Sequence, residues 1–339
     1  MTAVSKIAPH LAKPRLFSLN PCRCRLKYRV SQTVQPAINA ATRCCAVYGS
    51  PIRHSASPAM HNAAFAALGL DWCYLGYEVD PQNLRTAIQG AQAMNFAGLN
   101  LTVPHKLLAL DLVDVLDESA RTWGAVNTIR FEGQGTDDVW RPLPDFDSGL
   151  HGLPSRFRTQ GFNTDAEGIS RSLAEDLGVQ LAGTRVFLLG AGGAGRAIAL
   201  KLAAERVAEL FLLNRTASKA EEIAAEIRQR FPGVTVTVGY PSGPVDLLIN
   251  ATSLGLKPAD ALPLDVARFP LYQARAVYDA IYRPSATPLL QAAQAAGCQT
   301  ANGLGMLLHQ GAKAFEIWTG RPAPVAVMRR ALEHNIYGH

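Results

Sequence analysis

The sequence predicts an α/β protein with largely parallel strands, and three observations carry that prediction. From Ala46 onward, short apolar runs alternate with longer stretches of helical period. Residues 183–216, "GTRVFLLGAGGAGRAIALKLAAERVAELFLLNRT", spell a strand, a glycine-rich turn, a helix and a second strand, which is one complete βαβ unit. Ser or Thr precedes several helical stretches and Gly follows them, so each has a start and a stop signal of its own.

Along the chain, "CAVYG" reads as a strand, and "SPAMHNAAFAALG" as a helix with Ser57 at the N-cap, Pro58 at the first helical position and Gly69 just past the end. "FAGLNLTV" is the next strand, and Pro104 opens the helix that follows it. Residues 131–160, "FEGQGTDDVWRPLPDFDSGLHGLPSRFRTQ", are rich in Gly, Pro and Asp and keep neither the helix nor the strand period. They read as a long surface insertion. Past the βαβ unit, Ser218 with Glu221 makes a capping box for the helix "KAEEIAAEIRQRF". "VTVTV", "VDLLIN" and "AVYDAIY" are further strands; the helix in "TPLLQAAQAAG" closes at Gly297, and the apolar helix in "NGLGMLLHQGAKAFEIWTG" at Gly320.

At 339 residues, 48% hydrophobic and 18% charged, the chain is long enough for two domains with sizeable cores. The formal charge of +6 invites a nucleic-acid reading, but residues 1–43 hold eight of the 33 Lys and Arg and no acid, which leaves the remainder nearly neutral. That basic segment is expected to be a disordered extension or the result of an upstream start, with an organellar transit peptide as the alternative that its Arg-rich, acid-poor composition suggests. It has no apolar stretch long enough to span a bilayer, so no membrane partner is expected. Cys22, Cys24, Cys44 and Cys45 form a CxC and a CC without the usual zinc spacing, so no metal is expected; Cys73 and Cys298 read as reduced residues of a cytoplasmic protein.

The turn "GAGGAG" supplies Gly190, Ala191, Gly192, Gly193, Ala194 and Gly195 between a strand and a helix, where bare backbone can approach a pyrophosphate at the helix start. After the second strand an NAD site would place an acid. This chain has Asn214, Arg215 and Thr216 with Lys219 close behind, positive charge where a 2′-phosphate would lie, so NADP is expected; the rival reading is a solvated basic turn. Ser55 and Ser57 stand at the mouth of a helix whose free amides suit a carboxylate. Ser57 alone would serve as a cap, whereas Ser55 gains nothing from capping, so the pair reads as an anion clamp. Lys106 falls in the first turn after Pro104, where a cation is disfavoured by about half a kcal/mol. Its polar neighbours Asn100 and Thr102 make it a candidate for chemistry, and Asp165, at the start of another helix, is a natural proton-transfer partner.

From about Ala46 to about Leu332 the chain resembles the shikimate dehydrogenases, on "GSPIRHSASPAMHN", "GLNLTVPHK", "GAVNTI", "GFNTDAEG", "GAGGAGRA", "NRT", "NATSLG", "YDAIYRPSATPLL" and "NGLGMLLHQGA" in the family's order. The resemblance implies an α/β substrate-binding domain (44–164 with 303–339, the insertion at 131–160 included) and a Rossmann-type NADP-binding domain (165–302), with the C-terminal helices packing back on the first domain. It implies reduction of 3-dehydroshikimate to shikimate by NADPH, a step of chorismate and aromatic amino-acid biosynthesis. It also implies that Ser55 and Ser57 hold the substrate carboxylate and that Asn100, Thr102, Asn127, Asp165, Tyr282 and Gln310 bind or orient hydroxyls. Lys106 matches the acid/base, and Glu118, Ala280 and Gly303 match positions that line the cofactor.

Two departures stand out: Ala166 occupies a position where the family commonly has Gly, and Asn127 and Asp165 lie farther apart in sequence than expected. Both bear on closure of the cleft. The alternatives are a quinate/shikimate dehydrogenase acting on a related cyclic hydroxy acid, and a non-catalytic ligand sensor, which the retained Lys106 and Asp165 disfavour. A homodimer is compatible with either.

Overall fold

The computed structural model describes residues 38–257 and 259–338. Through them the chain runs β1 (Arg43–Gly49), α1 (Ser57–Ala67), β2 (Trp72–Glu78), α2 (Leu84–Ala93), β3 (Gly98–Leu101), α3 (His105–Leu108), β4 (Val115–Leu116), α4 (Glu118–Trp123), β5 (Thr128–Gln134), β6 (Trp140–Pro142) and β7 (Arg156–Phe162). It crosses through α5 (Asp165–Leu177) into β8 (Arg185–Leu189), α6 (Gly193–Ala204), β9 (Glu209–Leu213), α7 (Ala217–Arg230), β10 (Thr235–Val238), β11 (Val245–Asn250), β12 (Ala274–Asp279), α8 (Pro288–Ala295) and β13 (Gln299–Asn302). It returns through α9 (Leu304–Thr319) and α10 (Val325–Tyr337).

The second sheet, β8 to β13, is parallel throughout in the order β10-β9-β8-β11-β12-β13, the doubly wound arrangement with its topological switch between β8 and β11. Its strands read as unbroken apolar runs because both faces are covered: Val186 and Leu188 join the core on one face, Phe187 and Leu189 that on the other. The first sheet, ordered β2-β1-β3-β5-β7-β4 with β6 added to β5, is mixed: β1, β2 and β3 run parallel, while β5 pairs antiparallel with β3 and β7. The C-terminal helices cover its outer face as expected. Leu308, Phe315 and Trp318 of α9 and Met328 and Leu332 of α10 share one core with Val47, Met60 and Phe65, each such burial contributing roughly 1.5–3 kcal/mol. The Trp318 indole N–H donates to the Ile129 carbonyl at 2.9 Å, tying α9 to β5.

Several expectations need correction. Residues 131–160 are not a surface insertion: β5 and β7 pair along seven residues, and Phe131 is in the core. The strand period was hidden because the second face is charged yet internally satisfied. Glu132, 1% exposed, takes both Arg130 and Arg158, and Arg158 lies 4.3 Å from the Trp140 ring centroid. The basic extension does not reach residue 43, since Arg43 is the first residue of β1 and Thr42 Oγ1 donates to Asp71 at 2.7 Å. Ser57 is the first residue of α1 and Ala56 its cap. Ser218 likewise lies inside α7, whose cap position is Thr216 and carries no side-chain cap bond, so the capping box does not form. Pro104 precedes α3, which is only one turn long. Cys22 and Cys24 lie outside the described residues, and no group of three or more His, Cys, Asp or Glu able to hold a metal occurs among the described ones.

Candidate active site

The carboxyl ends of both sheets face a cleft of about 190 Å³ lined by Ser55, Ser57, Asn100, Thr102, Lys106, Asp165, Ala280, Tyr282, Gly303 and Gln310, together with His54, Met306 and four apolar residues. Ten residues singled out in the sequence therefore share one cavity. They arrive there by ordinary strand geometry: Asn100 is in β3, Thr102 and Lys106 follow it, Ala280 and Tyr282 follow β12, and Gly303 follows β13 as the N-cap of α9. The site sits where doubly wound sheets place ligands.

Lys106 Nζ donates to Asp165 Oδ2 at 2.6 Å, with the lysine side chain 31% and the aspartate 10% exposed. Asn127 does not line the cleft. It stands behind the pair, donating from Nδ2 to Asp165 Oδ1 at 2.9 Å, while its Oδ1 accepts from the Thr164 amide at 2.8 Å. Asn163 caps α5, its Oδ1 accepting from the amides of Asp165 and Ala166 at 3.1 and 3.3 Å. Ala166 thus sits in a regular first turn, and the β5–β7 ladder brings the long connector after Asn127 back beside its start, with Phe162 paired to Thr128.

Ser55 does have a capping contact, accepting from the Ser57 amide at 3.4 Å, which leaves its hydroxyl proton free for a ligand. Beneath Ser57 and Asn100 lies Tyr74, fully buried, whose phenol donates to Asn100 Oδ1 at 2.7 Å and also hydrogen-bonds the Ser57 side chain. Burial pushes that phenol well above its usual pKa. Tyr74 and Thr128, also buried beneath the cleft, were not singled out. The available signal was a polar side chain inside an otherwise apolar strand.

A second cleft, of about 600 Å³, opens over β8, β9 and β11 and is lined by Gly190, Gly192, Asn214, Arg215, Thr216, Lys219, Thr252 and Ser253 among others. Gly190 has φ +107°, a conformation that side chains resist, and a Cβ on Gly195 would collide with the Gly190 carbonyl, whereas Cβ atoms on Gly192 and Gly193 would meet open space. The loop is therefore packed on its inner side and bare on its outer side, which fits a pyrophosphate. Helix α6 begins at Gly193, so the amides of Gly193, Ala194 and Gly195 are its unpaired donors. Ala191 differs: its amide is taken by Asn214 Oδ1 at 3.0 Å, and Asn214 Nδ2 bonds the Thr216 carbonyl at 2.8 Å. Asn214 is a brace between the glycine loop and the basic turn, while Arg215, Thr216 and Lys219 are exposed around the cleft. Glu118, exposed at the start of α4, lines neither cleft. Thr252 and Ser253, in "NATSLG", line this second cleft without having been singled out.

Residues 47–129 match the shikimate dehydrogenase substrate binding domain, 172–237 the shikimate/quinate 5-dehydrogenase family and 303–333 the shikimate 5′-dehydrogenase C-terminal domain. A curated shikimate dehydrogenase (NADP(+)) of Methanopyrus kandleri is 40% identical over 310 residues, 89% of this chain and 99% of that protein. Among solved structures, a shikimate dehydrogenase in complex with NADP+ superposes with a TM-score of 0.73 at 34% identity, covering 88% of this chain and 97% of the other. A ligand-free 5-ketofructose reductase of Gluconobacter sp. strain CHM43 gives 0.72 at 36% identity, covering 88% and 100%.

Proposed function

The chain belongs to the shikimate dehydrogenase family, and on that premise we propose that it is an NADP-dependent shikimate dehydrogenase that reversibly reduces 3-dehydroshikimate to shikimate. The observation that carries the reading is the Lys106–Asp165 pair at 2.6 Å in a cleft that also holds two serine hydroxyls. NADPH, when bound, supplies the hydride to the C3 carbonyl carbon.

The remaining work falls to the chain. Ser55 and Ser57, at the start of α1, hold the substrate carboxylate with their hydroxyls. Lys106 donates the proton that the carbonyl oxygen takes as negative charge develops on it, and in the reverse direction receives it. Asp165 keeps the ammonium aimed and accepts from Asn127, so it is oriented from both of its oxygens. Tyr282 and Gln310 close the cleft from the side of the second sheet and α9. The bare outer side of residues 190–195 would hold the pyrophosphate of NADP, and Arg215, Thr216 and Lys219 its 2′-phosphate. A cytoplasmic setting belongs to the same reading, in keeping with the free thiols of Cys44, Cys45, Cys73 and Cys298.

The test is a matrix of initial rates for purified protein with shikimate and quinate against NADP and NAD, with 5-ketofructose reduction by NADPH added. Shikimate with NADP is expected to give the highest kcat/KM. A higher value for quinate or 5-ketofructose would overturn the substrate, and one for NAD the coenzyme.

A further inference from the structure

The floor of the substrate cleft is one chain of hydrogen bonds whose sense is fixed at Asn127 and Asn100. Thr164 N–H can only donate, and it donates to Asn127 Oδ1, so Asn127 Nδ2 must face Asp165. Thr128 Oγ1 donates to the same Asn127 Oδ1 at 3.1 Å and is thereby left to accept from Asn100 Nδ2 at 3.0 Å. The other Asn100 Nδ2 hydrogen goes to the Asn127 carbonyl, an obligate acceptor, at 3.2 Å. Asn100 Oδ1 therefore faces Tyr74, which must be the donor at 2.7 Å. Tyr74 and Thr128 are 0% exposed, so no solvent competes for these partners.

Asn100 lines the cleft with both of its hydrogens spent and one of its two Oδ1 lone pairs filled. What it offers a ligand is a single lone pair. An amide ordinarily accepts or donates as its partner demands; this one only accepts, and a flip would set its oxygen against the Asn127 carbonyl.

We propose that Tyr74 is a positioning residue: the Asn127 carbonyl sets Asn100 as an acceptor toward the cleft, and the Tyr74 hydroxyl fills the other Oδ1 lone pair and holds the amide in place, so that the cleft selects a substrate hydroxyl at that point and rejects a substrate without one. The inference rests on the functional reading above and deepens it. Tyr74 touches no reacting atom; it acts on hydroxyl selection through Asn100, while its bond to Ser57 lies on the carboxylate side of the cleft. Its ring is held independently, stacked on His61 with centroids 4.3 Å apart and planes 14° apart, so Tyr74→Phe removes the hydroxyl and keeps the packing.

The experiment measures kcat/KM for shikimate, 4-deoxyshikimate and 5-deoxyshikimate with saturating NADP, in the parent protein, Tyr74→Phe, Asn100→Ala and the double variant. In the parent, one deoxy analogue is expected to be disfavoured by roughly a hundredfold or more, because its binding leaves a buried polar group unpaired. Tyr74→Phe is expected to lower kcat/KM for shikimate and to shrink that penalty at least tenfold with the KM for NADP unchanged, and to leave the ratio of deoxy analogue to shikimate unchanged in the Asn100→Ala background, a ratio from which any loss at the carboxylate through Ser57 cancels. An undiminished penalty in Tyr74→Phe, or a further change of the deoxy-to-shikimate ratio when Tyr74→Phe is added to Asn100→Ala, would overturn the proposal. Should Tyr74→Phe fail to fold, Thr128→Val removes another side-chain partner that holds the Asn100 amide and decides in the same way. A parent protein inactive on shikimate would overturn the functional reading and this inference with it, an outcome told apart from failure of the inference alone by the parent's own rate.

Discussion

Lys106 Nζ and Asp165 Oδ2 stand 2.6 Å apart although 59 positions separate the two residues in sequence. One belongs to the single turn after β3, the other opens the helix that leads into the second sheet, so the pair spans the entrance of the cleft. Lys106→Ala is expected to lose at least about two orders of magnitude in turnover while still binding shikimate, the usual scale for a general acid/base. Asp165→Asn should be similarly damaging, and the two losses should not add, because the residues act as one unit. Steady-state rates for both single variants and the double, with equilibrium binding of shikimate, check this; near-normal turnover in Lys106→Ala would sink the assignment.

Coenzyme choice rests on Arg215, exposed beside the 600 Å³ cleft with Thr216 and Lys219. Hydrogen bonds to a charged partner contribute about 1.5–3 kcal/mol each, so one or two to the 2′-phosphate exceed the ~1.4 kcal/mol that a tenfold preference needs. NADP is expected to be favoured over NAD by tenfold or more in kcat/KM, and Arg215→Asp to reverse or abolish the preference, since a carboxylate repels the phosphate and accepts from free ribose hydroxyls. An unchanged ratio in the variant would reduce the cluster to a solvated turn.

The start of β1 makes a sharp contrast between two truncations. Removing residues 1–43 also removes the bond from Thr42 Oγ1 to Asp71 and those from Arg43 to Asp147 and the Asn95 carbonyl. It further removes the first pair of the β1–β2 ladder, Arg43 with Trp72. Each lost bond is worth about 1 kcal/mol net, and each such loss lowers the Tm of a chain of comparable size by roughly 2–4 °C. The protein lacking 1–43 should therefore melt several degrees below the one lacking 1–37. Coincident thermal transitions would show that these contacts contribute nothing.

His61 is fully buried against Tyr74 and Trp318, and burial lowers its pKa from 6.5 to about 3. Between those values the unfolded chain takes up a proton that the folded chain refuses. Stability is thus intact above about pH 6.5 and is lost as the pH falls through the window. His61→Leu should lose less stability than the parent between about pH 7.5 and about pH 5, read as the shift in denaturant midpoint. Equal shifts would move the acid sensitivity to other groups.

How much was legible follows from how local each signal is. The βαβ unit, the glycine turn and the helix ends at Gly69, Gly297 and Gly320 could be read directly, because strand burial, positive φ and capping act within a few residues. Lys106 could be read because a cation conflicts with the start of a helix, whereas Ser55, Asp165 and Arg215 are residue types their positions tolerate, and the family motifs named their roles. The β5–β7 hairpin was illegible, since its charged face is neutralised by partners on the neighbouring strand, Arg158 on Glu132 and Gln160 on Arg130.

Tertiary structure alone decided which donors and acceptors remain for a ligand. Asn214, expected as a cofactor contact, lines the second cleft and also braces Ala191; Asn127, expected as a substrate contact, orients Asp165 from behind; Tyr74, a polar side chain in an apolar strand, holds Asn100 by its Oδ1. An amide or hydroxyl keeps its full repertoire in the sequence and loses it one bond at a time as burial assigns its partners. The sequence therefore determined which polar groups come to the cleft, and the fold determined what each of them has left to offer.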